Sequence, residues 1–159
     1  KVPPRAGVIG YGLVKAGGKG DERMRVLHPD DVGETEGARS AVTEYRVIEQ
    51  LGHRCASVAL RPLTGRTHQL RAHMAALGTP IAGDGKYGGR GQENLGDGWG
   101  AGLGGALSRK LHLHAARLNF HHPMTGEPLR LGAPLPEHMT RSWQTLGLED
   151  ALPEPLFPN

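Results

Sequence analysis

The stretch LTGRTHQLRAH, residues 63–73, holds two arginines and two histidines within eleven residues. These residue types suit three kinds of chemistry: a metal site, a phosphate grip, or an arginine paired with a carboxylate. His68 and His73 are five positions apart, so they do not share a helix face and a metal site is disfavoured. His112 and His114 alternate along a predicted strand and could also bind a metal, but ordinary surface or core histidines are the simpler interpretation.

Arg66 stands apart because it begins a predicted helix on the side that leads into the helix's apolar stripe. A guanidinium turned inward needs a carboxylate or phosphate, which it grips in bidentate fashion. A solvated arginine just past a turn is the alternative. Arg71 and His73 are expected to point outward, either solvated or facing phosphates. Asp84, in GDGKYGG (83–89), is either a turn-former or a carboxylate partner.

Periodicity and turn signals predict the elements that position these residues. Thr64 or Thr67 is expected to cap the helix, and Gly78 to end it. The predicted strands are 7–14, 23–28, 41–51, 55–63, 110–123 and 127–134, and a second helix covers 136–148. This order predicts an α+β fold with a mainly antiparallel mixed sheet. The predicted domain is 1–148, with a flexible Gly-rich insert at 88–106 and a tail at 149–159.

Bulk properties limit the classes of protein that the chain can belong to. The 159 residues carry a net charge of +3, which suits a polyanionic partner. A single cysteine excludes an internal disulfide, and no apolar run is long enough to span a bilayer. We therefore expect a cytoplasmic protein with no membrane partner.

Residues 60–89, LRPLTGRTHQLRAHMAALGTPIAGDGKYGG, resemble the third sequence motif of the RluA-type pseudouridine synthases. Residues 110–136, KLHLHAARLNFHHPMTGEPLRLGAPLP, resemble that family's next block. The segments KAGGKGDERMRV and SAVTEYRVIEQL resemble the part just before, especially in the branch that modifies large-subunit rRNA. The resemblance covers nearly all of residues 7–146.

The resemblance implies an isomerase that detaches uracil from its ribose in RNA, rotates it and rejoins it through carbon, without cofactor or metal. An ionised Asp is the family's central catalytic group, and the arginine that matches Arg66 pairs with it. A bidentate Arg lowers the pKa of such an Asp and orients it. The residues expected to line or support the RNA-facing side are His68, Gln69, Arg71 and His73, and those expected to wall the uracil pocket are Leu111 and Leu113.

One departure from the family's pattern is large. The family's catalytic Asp lies in an Arg-Leu-Asp motif that these 159 residues lack. ARLNF (116–120) is a near match, with Asn119 in place of the acid, but it lies in a different block of the family's sequence. The family's upstream Tyr motif has no match either. We therefore expect a C-terminal part of a catalytic domain that is inactive without the N-terminal half of the same protein. Its target is expected to be 23S rRNA, with tRNA open, and a non-catalytic RNA-binding module is the alternative.

Overall fold

The computed structural model describes residues 2–89 and 107–157, and within these ranges the fold is α+β, as predicted. The strands are β1 (Ala6–Ile9), β2 (Gly12–Lys15), β3 (Met24–Leu27), β4 (Thr43–Leu51), β5 (Cys55–Pro62), β6 (Arg117–His121) and β7 (Pro128–Gly132), and the helices are α1 (Gln69–Ala76), α2 (Gly85–Gly88) and α3 (Glu137–Leu146). None of these helices is long and apolar enough to cross a membrane. Most of the predicted Gly-rich insert, from residue 90 onward, lies outside the described residues.

The described strands form three antiparallel sheets: β1-β4-β5, β2-β3 and β6-β7. The predicted hairpins β4-β5 and β6-β7 are confirmed. The single strand predicted for 7–14 is wrong, because the chain breaks at Gly10 and Tyr11 and its two halves join different sheets. The long strand predicted from residue 110 begins only at Arg117, since the preceding chain bonds elsewhere, as where the His112 amide donates to the Ala82 carbonyl.

The core lies on two sides of α1, between the first two sheets. Met74 packs with Ile9 and Tyr45 against β1-β4-β5, whereas Ala72 packs with Leu13 beside β2-β3. Because both sides are covered, three consecutive helix residues, 72–74, are buried. A helix enclosed in this way has no wide polar face, so polar side chains on it can be buried.

The ends of α1 differ in how well the sequence predicts them. The expected threonine cap is wrong, because the N-cap position is His68 and no side chain caps the helix there. The expected glycine end is confirmed. Gly78 has φ +78°, and its amide and that of Thr79 donate to the carbonyls of Ala75 and Met74 at 2.9 and 3.0 Å. This geometry stops the helix before Pro80.

The segment after α3, predicted as a tail, lies against the sheet. The Arg46 guanidinium on β4 donates to the carbonyls of Pro155 and Leu156, each at 3.0 Å. Phe157 lies 4.6 Å below the Arg61 guanidinium on β5. These contacts tie residues 155–157 to the hairpin β4-β5.

Candidate functional site

The loop from Leu63 to His68 joins β5 to α1 and is fixed to the chain just before β4. The Leu63 amide donates to the Val42 carbonyl at 2.9 Å, and the Val42 amide donates to Thr64 Oγ1 at the same distance. Thr64 Oγ1 in turn donates to Gln69 Oε1 at 2.8 Å. The loop is therefore attached to the sheet through both backbone and side chain.

Gln69 is the centre of a buried hydrogen-bond network. Its Oε1 also accepts from the Arg66 amide at 3.0 Å, and its Nε2 donates to the Val42 carbonyl at 2.9 Å and to Thr43 Oγ1 at 3.0 Å. All four hydrogen-bonding positions of the amide are thus used, and the residue is 3% exposed. Of the two roles expected for Gln69, lining or supporting the RNA-facing side, the buried amide is in position for support, since it holds the backbone of Arg66.

His73 extends this network and has no exposed surface. Its Nε2 lies 2.8 Å from the Tyr11 carbonyl, so it must carry the proton, and Nδ1 accepts from Thr43 Oγ1 at 2.9 Å. Burial lowers the pKa of His73, against the opposing effect of the Tyr11 carbonyl. The prediction that His73 points outward is wrong, because α1 is covered on that side. We call Thr43, Thr64, Gln69 and His73 the Gln69 network.

Arg66 itself is exposed, which corrects the expectation of an inward guanidinium. Its Nε donates to the Ser40 carbonyl at 3.0 Å, and its amide is held by Gln69. Within residues 2–89 and 107–157, no carboxylate forms an ion pair with it. Arg66 is therefore an exposed cation on a loop whose backbone is held from inside, an arrangement that is able to bind an anion.

Arg71 points toward Asp84, so its predicted outward orientation is also wrong. Arg71 Nε and Nη2 donate to the two Asp84 oxygens at 2.9 and 2.8 Å, and the Asp84 side chain is fully buried. Burial would raise the pKa of Asp84, but the bonds from Arg71 and the Tyr87 amide outweigh it, so the pKa is lowered. Of the two interpretations of Asp84, both hold: it partners Arg71 and caps α2.

His68 and Tyr87 complete this second group. The Nδ1 atom of His68 lies 2.9 Å from the Tyr87 hydroxyl, and the Arg71 guanidinium lies 5.1 Å from the Tyr87 ring centre. We call His68, Arg71, Asp84 and Tyr87 the Asp84 cluster. Sequence patterns alone made Asp84 a weak candidate and assigned no role to Tyr87. The signal that identifies them is their place at the start of a short Gly-bounded turn, where an Asp caps the amide three residues on.

Leu111 and Leu113 lie half-buried in an extended segment between α2 and β6. His138 of α3 bonds to the Leu111 carbonyl at 2.9 Å, and Nε2 of His112 lies 2.7 Å from Oγ of Ser142. Burial lowers the pKa of His112. The helix α3 therefore fixes the segment that carries both leucines.

No three metal-ligating side chains come together in the described ranges. The Gln69 network and the Asp84 cluster each include a residue of the loop that carries Arg66, whereas Leu111 and Leu113 belong to another segment. The described arrangement can therefore hold an anion at Arg66.

A family model described as RNA pseudouridylate synthase matches residues 20–76. Among curated relatives, "Ribosomal large subunit pseudouridine synthase D" of Xanthomonas campestris pv. campestris is 39% identical over 145 residues, which is 88% of this chain and 43% of that protein. "RNA pseudouridine synthase 3, mitochondrial" of Oryza sativa subsp. japonica is 51% identical over 88 residues, or 53% of this chain and 18% of that protein. The chain thus spans less than half the length of these relatives.

Solved structures give the same result for the fold. "Human RNA Pseudouridylate Synthase Domain Containing 4" aligns with a TM-score of 0.65 and 30% identity, over 99% of this chain and 60% of that one. "Human RNA Pseudouridylate Synthase Domain Containing 1" aligns with a TM-score of 0.60 and 27% identity, over 84% of this chain and 49% of that one. Both similarities extend well beyond the loop that presents Arg66.

Proposed function

We propose that this chain, which belongs to the RluA-type family of RNA pseudouridine synthases, forms part of an enzyme that isomerises uridine in RNA to pseudouridine. The proposal depends mainly on how Arg66 is held and exposed. Its backbone is held by the buried Gln69 network, while its guanidinium is exposed and has no carboxylate partner among the described residues. A preorganised cation of this kind suits a catalytic anion.

The anion that we propose for Arg66 is the catalytic Asp of the family. These 159 residues contain no Arg-Leu-Asp motif, and relatives such as the Xanthomonas protein have segments with no counterpart here. We place the Asp in such a segment of the same protein. A bidentate guanidinium would keep that carboxylate ionised and oriented.

The other predicted residues are proposed either to support the loop that carries Arg66 or to line the uracil pocket. Gln69, Arg71 and His73 support the loop from inside and make no RNA contact. Leu111 and Leu113 wall the uracil pocket, held in place by α3. The chemistry needs no cofactor in this scheme, because the carboxylate acts on the nucleoside itself.

Large-subunit rRNA is the substrate that we propose. Several relatives carry the name ribosomal large subunit pseudouridine synthase D, among them proteins from Xanthomonas and Vibrio. The net charge of +3 suits a polyanion, and a cytoplasmic location suits that substrate. A tRNA substrate is distinguished from rRNA by testing both transcripts.

A non-catalytic RNA-binding module is the second candidate. The observation that favours it is the absence of the Arg-Leu-Asp motif from these 159 residues. Such a protein would bind RNA through Arg66 without changing it. Both candidate proteins therefore bind RNA, but only the enzyme produces pseudouridine.

The deciding experiment incubates the complete protein with 23S rRNA and tRNA transcripts and measures pseudouridine by nucleoside chromatography. We expect pseudouridine in rRNA, and a loss of about a hundredfold in rate for Arg66→Ala, the scale of removing a preorganised charge. Arg141→Ala, on the exposed face of α3, is the matched control and keeps full activity. Undiminished activity in Arg66→Ala would refute the Asp–Arg pairing. RNA binding without any product would favour the binding module.

A further inference from the structure

The backbone of His68 adopts a conformation that side chains other than glycine seldom take. With φ +50° and ψ 22°, it is the one non-glycine residue with positive φ in the described ranges. An N-cap residue is ordinarily extended. This left-handed residue is the last of the loop and directly precedes α1, two positions after Arg66. Such an outlier persists only where its surroundings determine it.

The His68 side chain is in hydrogen-bonding contact with the Tyr87 hydroxyl. This oxygen accepts from the Met24 amide at 3.0 Å and lies 2.9 Å from His68 Nδ1. The two rings meet edge to face, with centres 5.6 Å apart. Since the Met24 amide is the donor in its bond, the hydroxyl proton is free to bond His68 Nδ1. One hydroxyl thus joins β3, α2 and the start of α1.

Tyr87 is itself held firmly by the rest of the Asp84 cluster. Asp84 Oδ1 accepts from the Tyr87 amide at 3.2 Å, while both carboxylate oxygens bind Arg71. The Arg71 guanidinium lies over the Tyr87 ring. The buried ion pair therefore fixes the ring, and the ring fixes His68.

We propose that Tyr87 is a positioning residue, whose hydroxyl holds His68 in the left-handed conformation and so sets the position of Arg66. On this view, His68 acts through its backbone and makes no contact with RNA. The inference rests on the proposed function for its effect on the reaction. Its effect on the loop is independent of that function.

Substitutions at position 68 separate a conformational role from a contact role. Asparagine and glycine adopt the left-handed region readily, whereas alanine does not. If backbone conformation matters, activity follows the order His68, then Asn and Gly, then Ala. If the imidazole touches RNA, all three variants lose activity alike, and this result would overturn the proposal.

The main test is Tyr87→Phe in the complete protein, which removes one oxygen and keeps the ring. We expect kcat to fall about fivefold, the effect of one lost hydrogen bond, and KM to stay within about twofold. His68→Asn in the Tyr87→Phe background is expected to restore kcat to within about twofold. Tyr45→Phe is the matched control, since this buried tyrosine packs with Ile9 and Met74 in the core, and it leaves kcat unchanged. An unchanged kcat in Tyr87→Phe would refute the reaction role.

Hydrogen–deuterium exchange of residues 63–69 provides a readout that does not need catalysis. We expect faster exchange there in Tyr87→Phe, slower exchange again with His68→Asn added, and no change in Tyr45→Phe. Equal exchange in all variants would overturn the positioning role. If the unsubstituted protein makes no pseudouridine, the proposed function fails, and the exchange data alone decide the claim about the loop.

Discussion

The Arg66 loop, residues 63–68, and the hairpin β6-β7 are held in place by different kinds of interaction. The loop is short and irregular, yet the Arg66 amide and Thr64 Oγ1 both donate to the buried amide of Gln69, and Thr64 Oγ1 also accepts from the Val42 amide. The hairpin is regular, yet it is exposed on nearly its whole length, including Leu118 at 59% and Leu131 at 54%. We therefore expect the buried polar groups beside the loop to hold it more rigidly than the hydrogen-bond ladder holds the exposed hairpin.

The substitution expected to change the free energy of unfolding most is Arg71→Met, near the loop. It leaves the fully buried Asp84 carboxylate without its partner, so we expect a loss of about 3 kcal/mol in the free energy of unfolding. Urea unfolding measures it. Arg141→Met breaks the exposed pair with Glu137 on α3 and is expected to cost less than about 0.5 kcal/mol. Equal losses would show that Asp84 is not buried in solution.

A second variant, Gln69→Leu, removes the centre of the Gln69 network. The Arg66 amide loses its partner, and the Val42 carbonyl and Thr43 Oγ1 each lose one donor, so we expect a loss of about 2 kcal/mol in the free energy of unfolding. Gln144→Leu, at an exposed position of α3, is the matched control and is expected to be nearly neutral. A neutral Gln69→Leu would contradict the network.

Acid should lower the free energy of unfolding, because His73 and His112 are partly or fully buried in their neutral form. Burial lowers the pKa values of His73 and His112 below 6.5, so the unfolded chain binds more protons than the folded one. Their stabilising effect is present in full above pH 6.5 and is lost as the pH falls through the folded pKa. Unfolding free energies at pH 7.5 and 5.5 test this, and His73→Gln should reduce the slope. A stability that does not change with pH would be inconsistent with buried neutral imidazoles.

The smallest effect is expected on the hairpin. Leu118 and Leu131 face each other across β6 and β7, and both are largely exposed. Replacing both with Thr, which keeps strand propensity, should change the unfolding free energy by less than about 0.5 kcal/mol. Thermal unfolding of the double variant measures this change. A large loss would reveal that this face is covered in solution.

Local patterns predicted the elements better than they predicted the site. Alternating runs and Gly78 identified the two hairpins and the end of α1, because these features depend on neighbouring residues. The prediction for α1 assumed one apolar stripe and an outward polar face. It failed for His73 because the chain at Tyr11 and Thr43 covers that side of the helix, and for Arg71 because the buried Asp84 binds its guanidinium.

Long-range partners explain the remaining differences. Asp84 lies thirteen residues after Arg71, and Thr43 lies thirty residues before His73, so neither pair shares a periodic pattern. The left-handed His68 was equally hidden, since histidine gives no glycine-like signal. The resemblance to the family placed weight on the right stretch, but the division between supporting and exposed side chains required the structure.

Buried side chains are expected to hold the loop of residues 63–68 more firmly than the hydrogen-bond ladder holds the hairpin β6-β7. Native-state hydrogen exchange of the Arg66 amide and of the β6-β7 amides tests this claim directly. We expect the Arg66 amide to exchange only with an opening free energy close to that of global unfolding, and the hairpin amides to exchange through smaller, local openings. An Arg66 amide that exchanges as fast as the hairpin would contradict the claim.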